Sequence, residues 1–394
     1  MADYQAKDIR NIALLGHGGE GKTTLTEAML FTAGHIDRQG RIEDGTTVSD
    51  YDPEEAKRGI SINASIAPIE WKNTKINIID TPGYFDFVGE TIGPLRVAGT
   101  CAIVINSING LSVGAEKAWD YANKYGVAKM IIVNQMEREN ANFRSVLDKL
   151  RDKYGNSIVP MFIPIGYGPE FKGVVNVLEG KAYEGEGKNF KEVPVPEALS
   201  SHIKAYYEAI TEAAAESDDA MIEKYFEEGT LSHEEILTGF KKGMRSGKIV
   251  PVIAVSALNR IGIAKLLDFM KDSLNSPAVI EGVGVNPKTD DIATRKCDSK
   301  EPFSAFVFKT IADPFVGKLS LFKVMSGTLN ASTQLYNSVK EKQEKSGGLF
   351  MLRGKKQFPV SQVNCGDIAL FQSFNSHQQE IPFAILQIQS AMKA

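Results

Sequence analysis

Eight residues near the start of the chain have the types and spacing to hold phosphate: Gly16-His-Gly-Gly-Glu-Gly-Lys-Thr23. They follow the apolar run Ile12-Ala-Leu-Leu15 and open a helical stretch, the setting in which a G-x-x-x-x-G-K-[ST] loop wraps anionic oxygens. Glycines at 18, 19 and 21 let the backbone N–H groups of the loop, including those of His17 and Glu20, turn inward. The helix that begins there adds its positive end, with Thr24 in its first turn. Lys22 would reach the β- and γ-phosphates of a nucleotide, and the Thr23 hydroxyl would ligate Mg²⁺.

Three further groups fit such a ligand. Asp80-Thr-Pro-Gly83 ends a second apolar run. A carboxylate at Asp80 can hold Mg²⁺ through water, and the N–H of Gly83 can contact a γ-phosphate and sense its loss. Between the two loops lies Arg58-Gly-Ile-Ser-Ile62, where the Ser61 hydroxyl offers another metal ligand. The base needs its own readers. Asn134-Gln-Met-Glu137 and Ser256-Ala-Leu258 each follow an apolar strand. A guanine reader requires a carboxylate for N1–H and N2–H₂ (Glu137), an amide near N7 (Asn134), and a backbone N–H for O6 (the Ser256–Leu258 turn).

These groups must be brought together by a scaffold. Short runs apolar on both faces recur at 12–15, 76–79, 102–105, 130–133 and 249–255, with helical patterns at 22–34, 115–125 and 141–154 between them. Strands alternating with helices predict a doubly wound α/β domain with a mostly parallel buried sheet. Ile60, Ile62, Ala64 and Ile66 alternate with polar residues, which predicts a half-exposed strand joined through Lys72-Asn-Thr-Lys75 to the strand ending at Asp80. Residues 157–250 hold ten Lys or Arg and sixteen Asp or Glu, an excess that marks an inserted acidic α+β subdomain within a domain spanning 1–276. Residues 277–300 have the composition of a linker, and 301–394 that of a small β-barrel domain.

Composition narrows the function classes. The 394 residues carry 45 basic and 49 acidic groups, which argues against coating nucleic acid by bulk charge. Cys101, Cys297 and Cys365 show neither disulfide-framework nor metal-ligand spacing. No apolar run approaches a membrane span, and the first residues have no secretion-signal segment, so a cytoplasmic protein is expected.

Gly16 to Thr24, Thr47 with Arg58 to Ile62, Asp80 to Phe87 and Asn134 to Phe143 resemble the nucleotide motifs of bacterial elongation factor G. Phe171-Lys-Gly-Val-Val-Asn-Val-Leu178 resembles that family's inserted subdomain, and Glu301 to Lys309 with Asp313 to Lys318 the start of its second domain. Within the family, Gly-His-Gly-Gly-Glu-Gly and Gly83-Tyr84 are most similar to the divergent elongation factor G-like, type 2, paralogues. The resemblance implies an α/β P-loop GTPase domain followed by a β-barrel. It also implies GTP and GDP with Mg²⁺ as ligands, and action as a monomer on the ribosome, with the 157–250 insertion docking the stalk protein. It implies neither a membrane nor sequence-specific DNA as partner.

Five departures from the family accompany the resemblance. Tyr84 stands where the family has the His that orients the attacking water, and a phenol cannot become a cation as imidazole can. Gln135 replaces a Lys, removing a stem and ammonium that brace the base and the phosphate loop. Glu137 puts the base-reading carboxylate on a longer arm than Asp, and Ser61 keeps only the hydroxyl of a Thr. Beyond about Ser373 the likeness to the barrel's last strands stops, so a truncated two-domain form is expected. Two activities compete on these residues: a GTPase with Lys22, Gly83 and Tyr84 at the reacting end, and a degenerate module that holds guanine nucleotide with little turnover. A third, a small-molecule kinase built on the same loop, is disfavoured by the Asn134 and Ser256 base site.

Overall fold

The computed structural model describes residues 3–285, 291–313, 317–337 and 342–373. Its larger part is one ten-stranded sheet with helices on both faces. In chain order the elements are β1 (Ile9–Leu15), α1 (Lys22–Thr32), α2 (Pro53–Arg58), β2 (Ser65–Trp71), β3 (Thr74–Asp80), α3 (Gly89–Val97), β4 (Thr100–Asn106), α4 (Val113–Lys124), β5 (Ala128–Asn134) and α5 (Phe143–Tyr154). There follow β6 (Ile158–Ile165), β7 (Gly173–Asn176), β8 (Lys181–Glu186), β9 (Asn189–Val193), α6 (Ser200–Ala215), α7 (Asp219–Glu228), α8 (His233–Ser246), β10 (Val250–Ala254) and α9 (Ile263–Ser273).

The strands lie in the order β2-β3-β1-β4-β5-β10-β6-β7-β8-β9. All contacts from β3 to β6 are parallel. Ile12, Leu14, Ile76, Ile78, Val104, Ile132 and Val252 are at most 1% exposed, as strands covered on both faces require. The carboxyl ends of β1, β3 and β5 therefore converge on one rim, where open α/β sheets bind ligands.

Three details depart from the sequence pattern. Residues 60–64 are not a strand. The Glu55 side chain accepts from Ile62 N–H (2.9 Å) and Asn63 N–H (2.8 Å), so the backbone there is committed to a carboxylate instead of a ladder. The strand β2 starts at Ser65, is buried instead of half-exposed, and turns through Lys72 and Asn73, both at positive φ. It tolerates Pro68 because it is the sheet's edge. The short strands of the acidic stretch join the main sheet: β6 pairs parallel with β10, and β7 to β9 extend it antiparallel. Where composition suggested a linker, β11 (Glu281–Val285) and β12 (Ile292–Lys296) pair as a ribbon.

An antiparallel β domain follows: β13 (Ser304–Asp313), β14 (Gly317–Ser326), β15 (Thr328–Asn330), β16 (Gln334–Asn337), β17 (Lys342–Arg353), β18 (Lys356–Val360), β19 (Gln362–Asn364) and β20 (Ile368–Ser373). Its main sheet runs β13-β14-β20-β17-β16, with β18 on β17 and β15 on β19. The expectations for Pro314 to Val316 and for the chain beyond Ser373 lie outside the described residues.

The β domain seats on the amino ends of β1 and β3 through charge. Lys75 Nζ, with its side chain 1% exposed, pairs with Asp367 Oδ2 at 2.7 Å. Asn77 Nδ2 donates to Asp367 Oδ1 (3.0 Å) and Asn11 Nδ2 to Gly366 O (2.8 Å). Beside this network, Ile66, Ile79 and Val97 pack against Phe306, Leu321 and Leu370. Removing one partner strands a buried charge. Asp367→Ala is expected to destabilise the chain by about 3–5 kcal/mol in urea unfolding, while Lys75→Met with Asp367→Leu recovers most of the loss.

Candidate functional site

The phosphate loop joins β1 to α1. Gly21 caps α1 in the left-handed conformation, φ 83°, and a Cβ there would stand 2.6 Å from Asn134 Nδ2. Both constraints require glycine. Lys22, the first residue of α1, folds its ammonium back inside the loop, donating to His17 O (2.8 Å) and Gly16 O (3.1 Å). Burial lowers its pKa to about 8, against the opposing pull of Asp80, Glu20 and Asp50. Gly83 lies directly on the loop: a Cβ would collide with Lys22 Nζ and stand 2.6 Å from Gly18 N. The Tyr84 ring follows it over Gly18, where a Cβ would meet Cζ at 2.8 Å, and the side chain is 43% exposed at the mouth of the loop.

On the metal side the structure brings together two of the residues read from the sequence. Thr23 Oγ1 and Ser61 Oγ are 3.1 Å apart. Asp80 accepts from Ser49 Oγ at 2.8 Å through Oδ2, leaving the buried Oδ1 without a partner. Asp50, which sequence reasoning missed, is buried with neither carboxylate oxygen paired, as is the Thr47 hydroxyl. Burial and the neighbouring Asp80 push Asp50 up to about 7, and burial also raises Asp80. Among the described residues no three His, Cys, Asp or Glu side chains form a metal cluster. The donors are hydroxyls and unpartnered carboxylate oxygens, a hard-oxygen set suited to Mg²⁺ that keeps part of its water.

The segment carrying Ser49, Asp50 and Ser61 is held by two carboxylates the sequence did not single out. Glu27 of α1 accepts from Val48 N (2.6 Å) and Gly40 N (2.9 Å). Glu55 closes a capping box with Asp52 and takes Ile62 N–H and Asn63 N–H on its other oxygen. The Asp52-x-x-Glu55 spacing before α2 was a legible signal for the second. A lone carboxylate among Leu25, Ala28, Met29 and Leu30 was one for the first.

On the base side Asn134, the last residue of β5, is a hub. Its Oδ1 accepts from Ala257 N (3.0 Å) and its Nδ2 donates to Glu20 O (3.1 Å). Its amide thus ties the Ser256–Leu258 turn to the phosphate loop. Gln135 keeps a brace despite losing the ammonium, because Nε2 donates to Gly19 O at 2.9 Å. Glu137 has a buried, unpartnered Oε2. Ser256 caps its own turn by accepting from Asn259 N (3.0 Å), and Leu258 is exposed. The Glu20 side chain turns away from the loop towards Asn106 and Ser112, and burial raises its pKa. The His17 ring lies 5.9 Å from that of Phe85, so these two residues serve the loop through backbone. Thr24 is half-buried in the first turn of α1.

A phosphate loop, a strand-end carboxylate, and an Asn hub joined to a second turn, gathered on one rim, are the arrangement of a P-loop GTP-binding fold. Residues 7–276 match the family Elongation factor Tu GTP binding domain, and residues 302–378 match Elongation factor G domain 2. A crystal structure of a protein from Thermus thermophilus is similar at 30% identity and a TM-score of 0.81, over 96% of this chain and 56% of that one. The chain belongs to the elongation factor G family of translational GTPases, and it spans just over half the length of that relative.

The buried carboxylates make a pH prediction. Asp50 holds its proton up to about pH 7 when folded but loses it near pH 4 when unfolded. At this group the native state therefore binds more protons in that window, and the contribution of Asp50 to stability without metal falls as pH rises from about 4 to about 7. Melting temperatures measured with EDTA between pH 5 and 8 should fall more steeply with pH, or rise less steeply, in the unsubstituted chain than in Asp50→Asn.

Proposed function

We propose that this chain binds GTP and GDP with Mg²⁺ and hydrolyses GTP in association with the ribosome, in the cytoplasm. The observation that carries the reading is the meeting of Thr23 and Ser61 beside the unpartnered Asp80 and Asp50 oxygens, within the same cleft as Lys22. Lys22 is placed to neutralise β- and γ-phosphate oxygens, and the N–H groups of the loop and Gly83 to orient them. Thr23, Ser61 and Asp80 would hold the cation, which would supply further charge neutralisation beside the phosphates. Glu137 and Asn134 read and brace the guanine. The ribosome as partner, and the acidic insertion as the face for its stalk protein, are supported by family membership and by the exposed acidic side chains of α7. Among the described residues no helix is long and apolar enough to cross a membrane.

Tyr84 supports a second reading, a nucleotide-holding module with little turnover, because its ring rests on the phosphate loop. A neutral phenol acts on the attacking water only by hydrogen bonding, so it positions water or blocks it. For the hydrolysing reading, Tyr84→Phe is expected to lower single-turnover GTP cleavage with ribosomes by about 10- to 100-fold, at ~1.4 kcal/mol per decade. A rise in turnover for Tyr84→His with no loss for Tyr84→Phe would favour the blocking role. Equal rates in all three proteins would leave Tyr84 with no part in the chemistry.

A further inference from the structure

The segment between α1 and Ser61 also touches the opposite, base-reading side of the site. Gln39 Nε2 donates to Ala257 O at 3.1 Å. Gln39 Oε1 accepts from Arg260 Nη1 at 3.2 Å. Arg260 is itself fixed, with a positive φ of 60°, a guanidinium 5.4 Å from the Phe31 ring centre, and an ion pair to Glu186 at 3.1 Å. The next residue along, Gly40, is buried, with its N–H on Glu27. Ala257 in turn donates to Asn134, and Asn134 to Glu20 O. One run of hydrogen bonds therefore joins Arg260, Gln39, the base turn, Asn134 and the phosphate loop. Its Gln39 end lies on the same stretch of chain as Ser49, Asp50 and Ser61.

We propose that Gln39 is a positioning residue that couples the metal side of the site to the base side. With its amide on Ala257 O, the 33–64 segment, when seated as in this structure, holds the base turn in place, so the bound guanine leaves more slowly. By linkage, a base in its turn favours the seated segment by the same factor. The proposal rests on the guanine-nucleotide reading above.

Stopped-flow release of a ribose-labelled fluorescent GDP from the full chain tests it, with and without Mg²⁺. Gln39→Ala is expected to speed release in Mg²⁺ about 3- to 10-fold, the range for one neutral hydrogen bond, with association unchanged within about twofold. Gln39→Glu keeps the acceptor for Arg260 but loses the donor to Ala257 O, so it should release as fast as Gln39→Ala. The factor by which Mg²⁺ slows release should shrink in both variants, because a coupling is lost. A general loosening would instead speed release equally with and without the metal, and that result overturns the proposal. Wild-type release rates in Gln39→Glu overturn it as well, since the Arg260 pairing alone would then suffice. Failure of the unsubstituted chain to bind GDP overturns the guanine reading together with the coupling. Normal binding with unchanged variant rates overturns the coupling alone.

Discussion

The site is organised around one ammonium taken out of water. Lys22 sits inside a loop of backbone carbonyls, its charge discouraged by burial and sustained by Asp80, Glu20 and Asp50. Those carboxylates carry an opposite strain, for Asp50 and Asp80 are buried beside each other and their protonation is favoured. Neither problem is solved by the protein alone. On the proposed function, a polyphosphate would give the ammonium its counter-charge, and a divalent cation would give the carboxylates theirs. The phosphate loop, the end of β3 and the stretch from Thr47 to Ser61 must therefore meet at one point, and the rest of the fold serves that meeting.

Two carboxylates and a second domain hold the arrangement. Glu27 fixes the start of the crossing segment at Gly40 and Val48, and Glu55 fixes its end at Ile62 and Asn63. Just beyond, Lys309 of the β domain donates to Ala64 O at 3.1 Å and pairs with Glu90 at the start of α3. Lys323 donates to Val97 O at the other end of α3, and burial lowers its pKa to about 8. The β domain is thus bonded to the end of the segment that carries Ser61 and to both ends of α3. The buried Lys75–Asp367 pair sets where it sits.

Much of this was legible in the sequence because its signals are local. The loop from Gly16 to Thr23, Asp80 to Gly83 and the apolar strands before them are contiguous patterns, and the strand–loop–helix order places them on one rim. What was not legible depends on long-range pairing. The alternation from Ile60 to Ile66 suggested a strand, but Glu55 claims those N–H groups from an earlier turn. Asp50 carries no motif and becomes a candidate ligand only through burial beside Asp80. Gln135 read as a lost brace because an amide is shorter than a lysine stem, yet the positive φ of 63° at this residue accompanies an amide that reaches Gly19 O. The acidic insertion was visible by charge. Its strands joining the main sheet through β10 could be known only from the register.

On the proposed function, Lys22 is a phosphate-binding ammonium whose proton is loosened by burial until a nucleotide arrives. Calorimetric titration of GDP at pH 8, in two buffers of different ionisation enthalpy, tests it directly. With burial pushing Lys22 down to about 8, partial deprotonation in the free chain is expected at that pH, and a fully ionised diphosphate would restore its charge. Binding with net proton uptake is expected, lost in Lys22→Met. GDP binding with no proton exchange, or with equal uptake in Lys22→Met, would contradict it.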